Sequence, residues 1–337
     1  MTRIAFLSTA HIHTKQFLEN IAKATDGRTC VAVWDDVADR GRRYAEANKA
    51  RFEASLDAIL AAPDVDAFVI CAENTRHIAL LERVLPVGKP VFCEKPITTT
   101  AADAATVAAL VAKHRTPLTC GYFQPFFKEN RAVARLLDEK RFGQVTRVRF
   151  RNAHHAAYGH WFDNPDLAWF ADPALAGGGA MMDMGAHAVH LLRSLFGRVD
   201  AVQAVIGNHA GVYPRVDDWG IATLRFASGV IGTVEAAWTQ TGGIGGLEVV
   251  GSEASLWNTG SGLVVGAPGK QAQPLQPSDV RPDRMDRLVA LARGQLDAGE
   301  AAADLAAVLD EAAIMDAIYA ASRSGGWEQV ARIPSIA

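Results

Sequence analysis

The sequence has little of several features that mark particular protein classes. Its 337 residues include only four cysteines, aromatic residues make up 8%, and the formal net charge is −3. Cys30, Cys71, Cys93 and Cys120 lie far apart without CxxC spacing, which indicates buried thiols rather than disulfides or a zinc cage. No uninterrupted apolar segment is long enough to cross a bilayer.

The features that the sequence lacks limit the binding partners and the cellular location that we expect. No Lys/Arg block accompanies aromatic residues, which argues against a nucleic-acid surface. The apolar stretch Ile4–Leu7 near the first residue is too brief for a signal peptide. We therefore expect a cytoplasmic protein that acts on small molecules, without membrane or nucleic-acid partners, and the length predicts two domains.

The first part of the chain alternates between short apolar runs and helical patterns. The apolar runs are Ile4–Leu7, Thr29–Trp34, Ala67–Cys71, Pro90–Cys93 and Leu118–Cys120, and the helical segments are Lys15–Thr25, Val37–Lys49, His77–Leu85 and Thr100–His114. Such alternation predicts βαβ units in a doubly wound parallel sheet, a Rossmann domain, over residues 1–121.

Longer alternating strands follow in residues 122–337. The predicted elements are a helix at Asn130–Lys140, strands at Val145–Asn152, Ile221–Phe226, Val230–Trp238 and Leu247–Gly251, a surface loop at Pro268–Pro282 and a long helix at Ala301–Ser322. Period-two patterning predicts a second α/β domain with a large, mostly antiparallel open sheet. The overall fold class is therefore α/β.

Two polar motifs stand far apart in this framework. Glu94-Lys95-Pro96 ends an apolar run, and the second motif is Gly177-Gly178-Gly179-Ala-Met-Met-Asp183-Met-Gly-Ala-His187-Ala-Val-His190. Asp183 and His187 are four residues apart, which places both on one face of a helix. A neutral imidazole can accept a hydroxyl proton, a carboxylate can orient it, and a lysine ammonium can stabilise negative charge on oxygen.

Other interpretations of the second motif remain open. Asp183, His187 and His190 also have the spacing of metal ligands, but no Glu in the motif supplies a metalloprotease base, and we predict no metal. The residues also suit an amphipathic helix with a polar seam against the other domain.

The order and separation of the two motifs resemble the Gfo/Idh/MocA oxidoreductases, which include sugar and inositol dehydrogenases. The resemblance covers nearly the whole chain. It implies that Lys95 lies beside the nicotinamide and the reacting oxygen, that Lys95, Asp183 and His187 are catalytic, and that the protein is a homodimer or homotetramer. His190 departs from the family, which usually has Asp there, and Pro125 replaces a common Arg.

The first strand–helix turn departs from the family as well. Rossmann turns use glycines so that peptide N–H groups reach a pyrophosphate, but Ser8, Ala10 and His13 stand at those positions. We expect Thr9, Ala10, His11 and Ile12 to contact the cofactor. His13 has two interpretations, a phosphate contact or a packed helix residue.

The cofactor prediction extends to the ends of the next strands. Asp35 is placed to accept hydrogen bonds from ribose hydroxyls, which favours NAD over NADP, although Arg40, Arg42 and Arg43 follow closely. The resemblance adds Asn74, His77, Glu94 and Lys95 to the cofactor site. In the resemblance, Asn74 borders the cofactor and His77 supports the Lys95 strand; alternatively, Asn74 is a helix cap and His77 a packed residue of the first helical turn.

Substrate contacts are predicted from the domain junction and an aromatic loop. The residues are Tyr122, Gln124, His154 and Trp161, together with Asp183 and His187; each loop residue also suits ordinary packing. We expect an NAD(P)-dependent oxidoreductase that transfers a hydride between a sugar, inositol or related polyol, or its keto form, and nicotinamide. The alternatives are an NAD-dependent glycosidase or lyase with transient oxidation, and a non-catalytic nucleotide-sensing regulator.

Overall fold

A six-stranded parallel sheet forms the first half of the molecule. The computed structural model describes residues 1–278 and 282–336. The strands are β1 (Thr2–Leu7), β2 (Arg28–Trp34), β3 (Arg51–Phe52), β4 (Ala67–Ile70), β5 (Val91–Cys93) and β6 (Leu118–Cys120), in the spatial order β3-β2-β1-β4-β5-β6. This is the order of a dinucleotide-binding doubly wound sheet, in which ligands bind outside the carboxyl ends of the strands.

Helices connect these strands on both faces of the sheet. They are α1 (Thr14–Lys23), α2 (Ala38–Ala47), α3 (Leu56–Ala61), α4 (His77–Val84) and α5 (Ala101–His114). Helix α5 begins where the Thr100 hydroxyl accepts a hydrogen bond from the Asp103 N–H at 3.1 Å, and it ends at Arg115 in the left-handed region. A side-chain cap of this kind satisfies one of the free N–H groups of the first turn.

The second sheet has nine strands and is mostly antiparallel. Its strands are β7 (Val145–Ala153), β8 (Val199–Gly207), β9 (Trp219–Phe226), β10 (Ile231–Ala237), β11 (Gly246–Gly251), β12 (Ser255–Asn258), β13 (Leu263–Gly266), β14 (Gln273–Pro274) and β15 (Glu328–Gln329). The order is β14-β13-β12-β11-β7-β10-β9-β8-β15, and among these described strands only the β7–β10 pairing is parallel. Alternating burial along β9 and β10 leaves one face of the sheet covered and one open.

The remaining helices cover the second sheet and return to the first. They are α6 (Lys128–Asp138), α7 (Pro173–Ala176), α8 (Ala186–Phe196), α9 (Arg284–Ala292) and α10 (Ala298–Ser324). Met285 and Leu288 of α9 pack into the core around β1, and Leu305 and Val308 of α10 pack into the core on the other face of that sheet. The later part of α10 packs against α8 and β8. The carboxyl-terminal helices therefore join the two sheets.

The predicted α/β fold class is confirmed, since the first sheet is parallel and the second is large and mostly antiparallel. Helices α3, α7 and α9 and the strands β3, β8 and β12 to β15 were not among the elements predicted by name. Strand β14 lies inside the predicted loop Pro268–Pro282, of which residues 279–281 lie outside the described residues. Among the helices that the structure describes, none combines the length and the apolar character needed to cross a membrane.

Candidate active site

Lys95 is held in a turn at the carboxyl end of β5. A cis peptide joins Lys95 to Pro96, and the Nδ1 atom of His77 lies 2.8 Å from the Pro96 carbonyl oxygen. Glu94 accepts a hydrogen bond from the Lys95 N–H at 2.8 Å. His77 is fully buried and both its ring nitrogens face carbonyl oxygens, so it supports this turn rather than offering a group to a ligand.

Asp183 lies on a stretch of π-helix, Met181–Gly185, that leads into α8. The carboxylate of Asp217 accepts hydrogen bonds from the N–H groups of Gly179 and Met181, both at 2.7 Å. A Cβ at Gly179 would lie 1.9 Å from the Asp217 carbonyl oxygen. The glycine run thus lets the chain pack closely against Asp217. The π-helix was not predictable from local sequence, because Asp217, which supports it, lies more than thirty residues away.

Lys95 and Asp183 form a tight, buried ion pair. The Lys95 Nζ atom lies 2.6 Å from Asp183 Oδ1, and the indole N–H of Trp238 donates to Asp183 Oδ2 at 2.9 Å. Burial alone would raise the pKa of the Asp183 carboxyl, but the Lys95 ammonium and the Trp238 N–H outweigh it and hold that pKa below its ordinary value. Asp183 is therefore a carboxylate that fixes the position of the ammonium.

His187 lies one turn along the chain from Asp183, at the start of α8. Its side chain is buried against the rings of Phe123, at 4.8 Å between centroids, and Tyr122, at 5.7 Å. Burial, and then the charge of Lys95, lower the pKa of His187 well below its usual range, so the ring is neutral. Within the described residues no hydrogen bond links it to Asp183, in contrast to the predicted pair, because the carboxylate is directed at Lys95 and Trp238.

The nucleotide turn after β1 is shaped differently from a glycine-rich one. Ser8 adopts a φ of 67°, the left-handed conformation that glycine takes most easily. The Asp35 carboxylate accepts hydrogen bonds from the N–H and hydroxyl of Thr9, the N–H of Val37 and two nitrogens of Arg40. Because a carboxylate offers about four lone-pair sites, ribose hydroxyls reach Asp35 only by displacing some of these donors.

Several unpaired polar groups at this edge suit a dinucleotide. Among residues 1–278 and 282–336, the peptide N–H groups of Ala10 and Ile12 donate no hydrogen bond, and they lie directly before α1. Free N–H groups before a helix are suited to a phosphate. The Oδ1 atom of Asn74 is likewise buried without a partner in the described part of the chain. These groups and Lys95 fit the pyrophosphate and nicotinamide ends, whereas Arg40 occupies the ribose end.

A segment that we call the strap, residues 161–177, covers this edge of the sheet. The Trp169 indole N–H donates to the Ala10 carbonyl oxygen at 3.1 Å, and the Asn74 amide donates to the Ala176 carbonyl oxygen at 2.9 Å. His11, predicted to contact the cofactor, is only 2% exposed and packs against the strap rings Trp169 and Phe170. The strap therefore ties the second domain to the nucleotide turn.

Glu94 lies at the floor of the site and meets three cationic or imidazole groups. Its Oε1 atom is 3.1 Å from His13 Nδ1, 3.6 Å from an Arg284 nitrogen and 3.9 Å from His11 Nδ1. Burial would raise the pKa of Glu94, but the two histidines and Arg284 outweigh it and hold that pKa well below its ordinary value. His13 therefore contacts Glu94, and the phosphate contact stays a prediction for this residue.

The same cluster has ligand atoms that could approach a metal, since one atom each from His11, His13 and Glu94 lies within 4.8 Å of the others. However, a guanidinium nitrogen of Arg284 lies 3.2 Å from His13 Nδ1. The chain's own cation already neutralises this carboxylate, and we assign no metal. Arg284 itself was missed by the sequence prediction; the apolar spacing of Met285, Leu288 and Val289 was the available signal for its helix.

The structure places the predicted substrate residues in different surroundings. His154 and Trp161 stack with centroids 4.8 Å apart. The His154 Nε2 atom lies 4.0 Å from Asp183 Oδ2, so His154 borders the Lys95–Asp183 pair and Trp161 packs beside His154. The Asn130 side-chain amide donates hydrogen bonds to the backbone carbonyl oxygen and to the side-chain oxygen of Gln124. Tyr122 corrects the prediction, because it is 1% exposed and lies beneath His187, where its ring and hydroxyl do not reach a substrate.

Gly185 lies where the π-helix packs closely on its surroundings. A Cβ there would lie 2.4 Å from the Met181 sulfur and 3.5 Å from the Ala236 Cβ. The absence of a side chain therefore allows the π-helix to pack against β10, rather than allowing a ligand to approach.

Comparisons with known proteins agree with this architecture. Residues 3–122 match the profile described as the oxidoreductase family, NAD-binding Rossmann fold, and residues 130–257 match the GFO/IDH/MocA C-terminal domain. The 1,5-anhydro-D-fructose reductase of Ensifer adhaerens is 27% identical over 277 residues, which cover 79% of this chain and 81% of that protein.

Solved structures share the complete fold. Levoglucosan dehydrogenase in complex with NADH superposes with a TM-score of 0.79 at 20% identity, over 98% of this chain and 100% of that one. Aldose-aldose oxidoreductase from Caulobacter crescentus, complexed with glycerol, gives a TM-score of 0.79 at 22% identity, over 98% and 100% of the two chains.

Fold and site together define an oxidoreductase with an NAD-binding Rossmann domain and a second sheet domain that supplies the Asp and His. More particularly, the chain belongs to the Gfo/Idh/MocA family, as the resemblance of its two motifs implied.

Proposed function

We propose that this protein transfers a hydride between a sugar, inositol or related polyol, or its keto form, and NAD(P), with NAD favoured over NADP. The observation that carries the proposal is the Lys95–Asp183 ion pair of 2.6 Å beside the neutral ring of His187, at the nucleotide-binding edge of the first sheet. The named relatives, an anhydrofructose reductase and a levoglucosan dehydrogenase, support a carbohydrate substrate.

The cofactor's place follows from the free donors at this edge. The peptide N–H groups of Ala10 and Ile12 would hold the pyrophosphate, Asn74 would border it, and Lys95 would lie at the nicotinamide. Asp35 would bind the ribose once Arg40 releases part of its carboxylate. When bound, the nicotinamide supplies the hydride acceptor or donor.

The chain's own residues supply the proton chemistry. Lys95, oriented by Asp183, would donate a hydrogen bond to the substrate oxygen and stabilise the charge that develops there. His187 would accept the hydroxyl proton in oxidation and return it in reduction. Trp238 fixes Asp183, so the ammonium has one position in which to meet the substrate.

The walls of the proposed sugar site come from the second domain. Trp161 is 40% exposed and offers a ring face, while His154 lies between it and Asp183. A flat ring on one side and polar groups on the other suit a polyol. Burial lowers the pKa of His154, so this side chain is a neutral hydrogen-bonding group near neutral pH.

The proposal is tested by binding and turnover in one protein preparation. NADH and NADPH are titrated against the purified chain, and a panel of sugars and polyols is then screened by absorbance at the nicotinamide band. We expect His187→Ala to abolish turnover while dinucleotide affinity stays within about twofold, because the ring acts on the substrate proton.

A matched histidine provides the control. His160→Ala changes an exposed ring that pairs with Asp163 on the same side of the molecule, and it should retain turnover. Equal loss of NADH affinity and turnover in His187→Ala would contradict the assigned role. Turnover in Lys95→Met at the rate of the unmodified protein would contradict the proposal as a whole.

One observation favours a second candidate, a glycosidase or lyase in which oxidation is transient. The strap covers the nucleotide turn, and Ser8, Thr9 and Ala10 are each no more than 2% exposed, so a bound cofactor would exchange slowly. NAD that co-purifies, with substrate cleavage and no net NADH, would support this candidate. A sensor without turnover is disfavoured, since Lys95 and Asp183 remain paired beside His187.

The organisation of the protein is also a proposal. We place the domain boundary at residue 121, with residues 122–337 binding the substrate and forming the oligomer. Val205, Ile221 and Ile231 on the open face of the second sheet are 62%, 45% and 40% exposed, which favours a homodimer or homotetramer formed through this face. The four unpaired cysteines suit a reducing cytoplasm.

A further inference from the structure

A layer of buried polar side chains lies on the inner side of His187. Tyr122 follows β6, His190 is on α8 and Glu311 is on α10, and none is more than 1% exposed. Within residues 1–278 and 282–336, the Tyr122 hydroxyl, both nitrogens of His190, both carboxyl oxygens of Glu311 and Nδ1 of His187 have no hydrogen-bond partner. Six such atoms in one place are unusual in a protein core.

Tyr122 connects the members of this layer. Its ring stacks on His190 at 4.2 Å between centroids and 9° between planes, and it meets the His187 ring edge-on at 5.7 Å and 90°. Its hydroxyl faces the Glu311 carboxyl without a hydrogen bond of normal geometry. A single ring thus separates the proposed catalytic imidazole from a buried acid.

The charged groups around the layer come from every element that packs against it. Lys95 and Glu94 follow β5, Cys120 ends β6, and His13 directly precedes α1. Asp183 is on the π-helix before α8, Arg193 is on α8, Arg287 is on α9 and Asp304 is on α10. The His190 Nε2 atom lies 3.9 Å from Asp304 Oδ1. The Asp304 carboxylate also bonds Arg287, so its charge is largely neutralised.

The protonation states follow from burial. Burial raises the pKa of Glu311 to about 8, although Tyr122 and Lys95 oppose it. Burial, and then Arg193 and Arg287, lower the pKa of His190 to about 3. Near neutral pH the layer therefore holds a neutral acid and a neutral imidazole, and Glu311 becomes a carboxylate only at mildly alkaline pH.

We propose that Glu311 acts through His187 as a positioning residue, its carboxylate stabilising the His187 imidazolium across the Tyr122 ring while His190 keeps the layer uncharged. The inference rests on the proposed oxidoreductase function. In oxidation the substrate O–H bond breaks and a bond forms between its proton and Nε2 of His187. The substrate C–H electron pair leaves as hydride to the bound nicotinamide. The His187 imidazole, having accepted the proton, gains one positive charge.

Ionised Glu311 would lower the free energy of that charged state, because opposite charges attract strongly in a buried environment. The proton that Glu311 loses goes to solvent before the substrate reacts. Oxidation should therefore speed up as Glu311 ionises, and a neutral residue of the same shape should remove this dependence.

The test compares Glu311→Gln with the unmodified protein over a pH series. We expect kcat for oxidation to rise through an apparent pKa near 8 in the unmodified protein. In Glu311→Gln the rise should vanish and kcat on the alkaline side should fall at least about tenfold, with KM and NADH affinity little changed. Asp310→Asn, which alters the neighbouring Arg193 pair on the outside of α10, is the control and should keep the profile.

A second readout does not depend on turnover. The His187 ring resonances, observed by NMR without substrate, should move as the pH passes through about 8, and they should not move in Glu311→Gln. Tyr122→Phe keeps the ring stack and removes the hydroxyl, so it is the second variant to test if Glu311→Gln does not fold. It should shift the pH at which kcat for oxidation rises.

The outcomes separate the two proposals. Absence of turnover with every substrate, with His187 resonances that respond through Glu311, would overturn the proposed function and support the layer. Superimposable pH profiles, or His187 resonances with the same response in both proteins, would overturn the role of Glu311.

Discussion

Glu311 should make the stability of the protein fall as the pH rises, and the size of the effect follows from its burial. The carboxyl is fully buried on α10, and its pKa is raised from the ordinary 4.5 to about 8. A raised folded-state pKa in an acid means that the folded protein binds this proton more tightly than the unfolded chain does. The associated stability is present in full below pH 4.5 and is lost as the pH rises towards 8.

The magnitude can be worked out for a measurable range. Between the two pKa values each pH unit removes about 1.4 kcal/mol, because only the unfolded chain releases the proton there. From pH 4.5 to 7 the loss amounts to roughly 3 kcal/mol, a large part of the stability of an ordinary domain. Glu311→Gln cannot ionise, so its stability relative to the unmodified protein should increase by that amount over the same range.

Urea unfolding at a series of pH values, followed by circular dichroism, measures this difference. Comparing Glu311→Gln with the unmodified protein cancels the contributions of the other titrating groups to the pH dependence of stability. Among these are the buried His77 and His190, whose lowered pKa values make stability rise with pH in the acid range. Asp310→Asn is again the control and should show a constant difference. A Glu311→Gln difference that stays flat within about 0.5 kcal/mol from pH 4.5 to 7 would refute the assigned burial of this acid.

Three further predictions concern the packing, the cofactor and the assembly. Gly179→Ala places a Cβ against the Asp217 carbonyl and should lower the free energy of unfolding by roughly 3 kcal/mol or more, measured by thermal unfolding. Gly242→Ala, with open space around it, is the control and should be neutral. Equal melting temperatures for the two variants would contradict the packing. Arg40→Ala removes the guanidinium that occupies the Asp35 carboxylate, which frees Asp35 for ribose hydroxyls, and should raise the ratio of NADH to NADPH affinity about tenfold in fluorescence titrations. An unchanged ratio would contradict its placement. Ile221→Lys should lower the mass measured by light scattering, while Val37→Lys, exposed on the first domain, should not; an unchanged mass would exclude this face as the interface.

The sequence was sufficient for the fold because its signal is local. Apolar runs such as Ala67–Cys71 between helical patterns specify a parallel sheet, and the structure has β4 at Ala67–Ile70. Strand alternation at Ile221–Phe226 gave β9 within two residues. Helix α9 was missed because it is short and follows a polar loop, although it brings Arg284 to Glu94.

The site was predictable in composition and less so in geometry. Lys95 and Asp183 do meet, as two motifs at the ends of separate elements suggested, but Asp183 is directed at Lys95 rather than at His187. The contact that decides this, the Trp238 indole, lies 55 residues further along the chain. Tyr122 was misplaced for a similar reason, since only the stacking on His190 reveals that it lies behind the site.

The strap also makes the two ends of the site mechanically dependent on each other. Its Trp169 rests on the nucleotide turn, and a few residues later the same backbone becomes the glycine run that sets Asp183 and His187. Lifting the strap to admit a dinucleotide would pull on the segment that aligns the acid and the imidazole. A substitution that loosens the strap should therefore weaken cofactor binding and disturb the reactive geometry together.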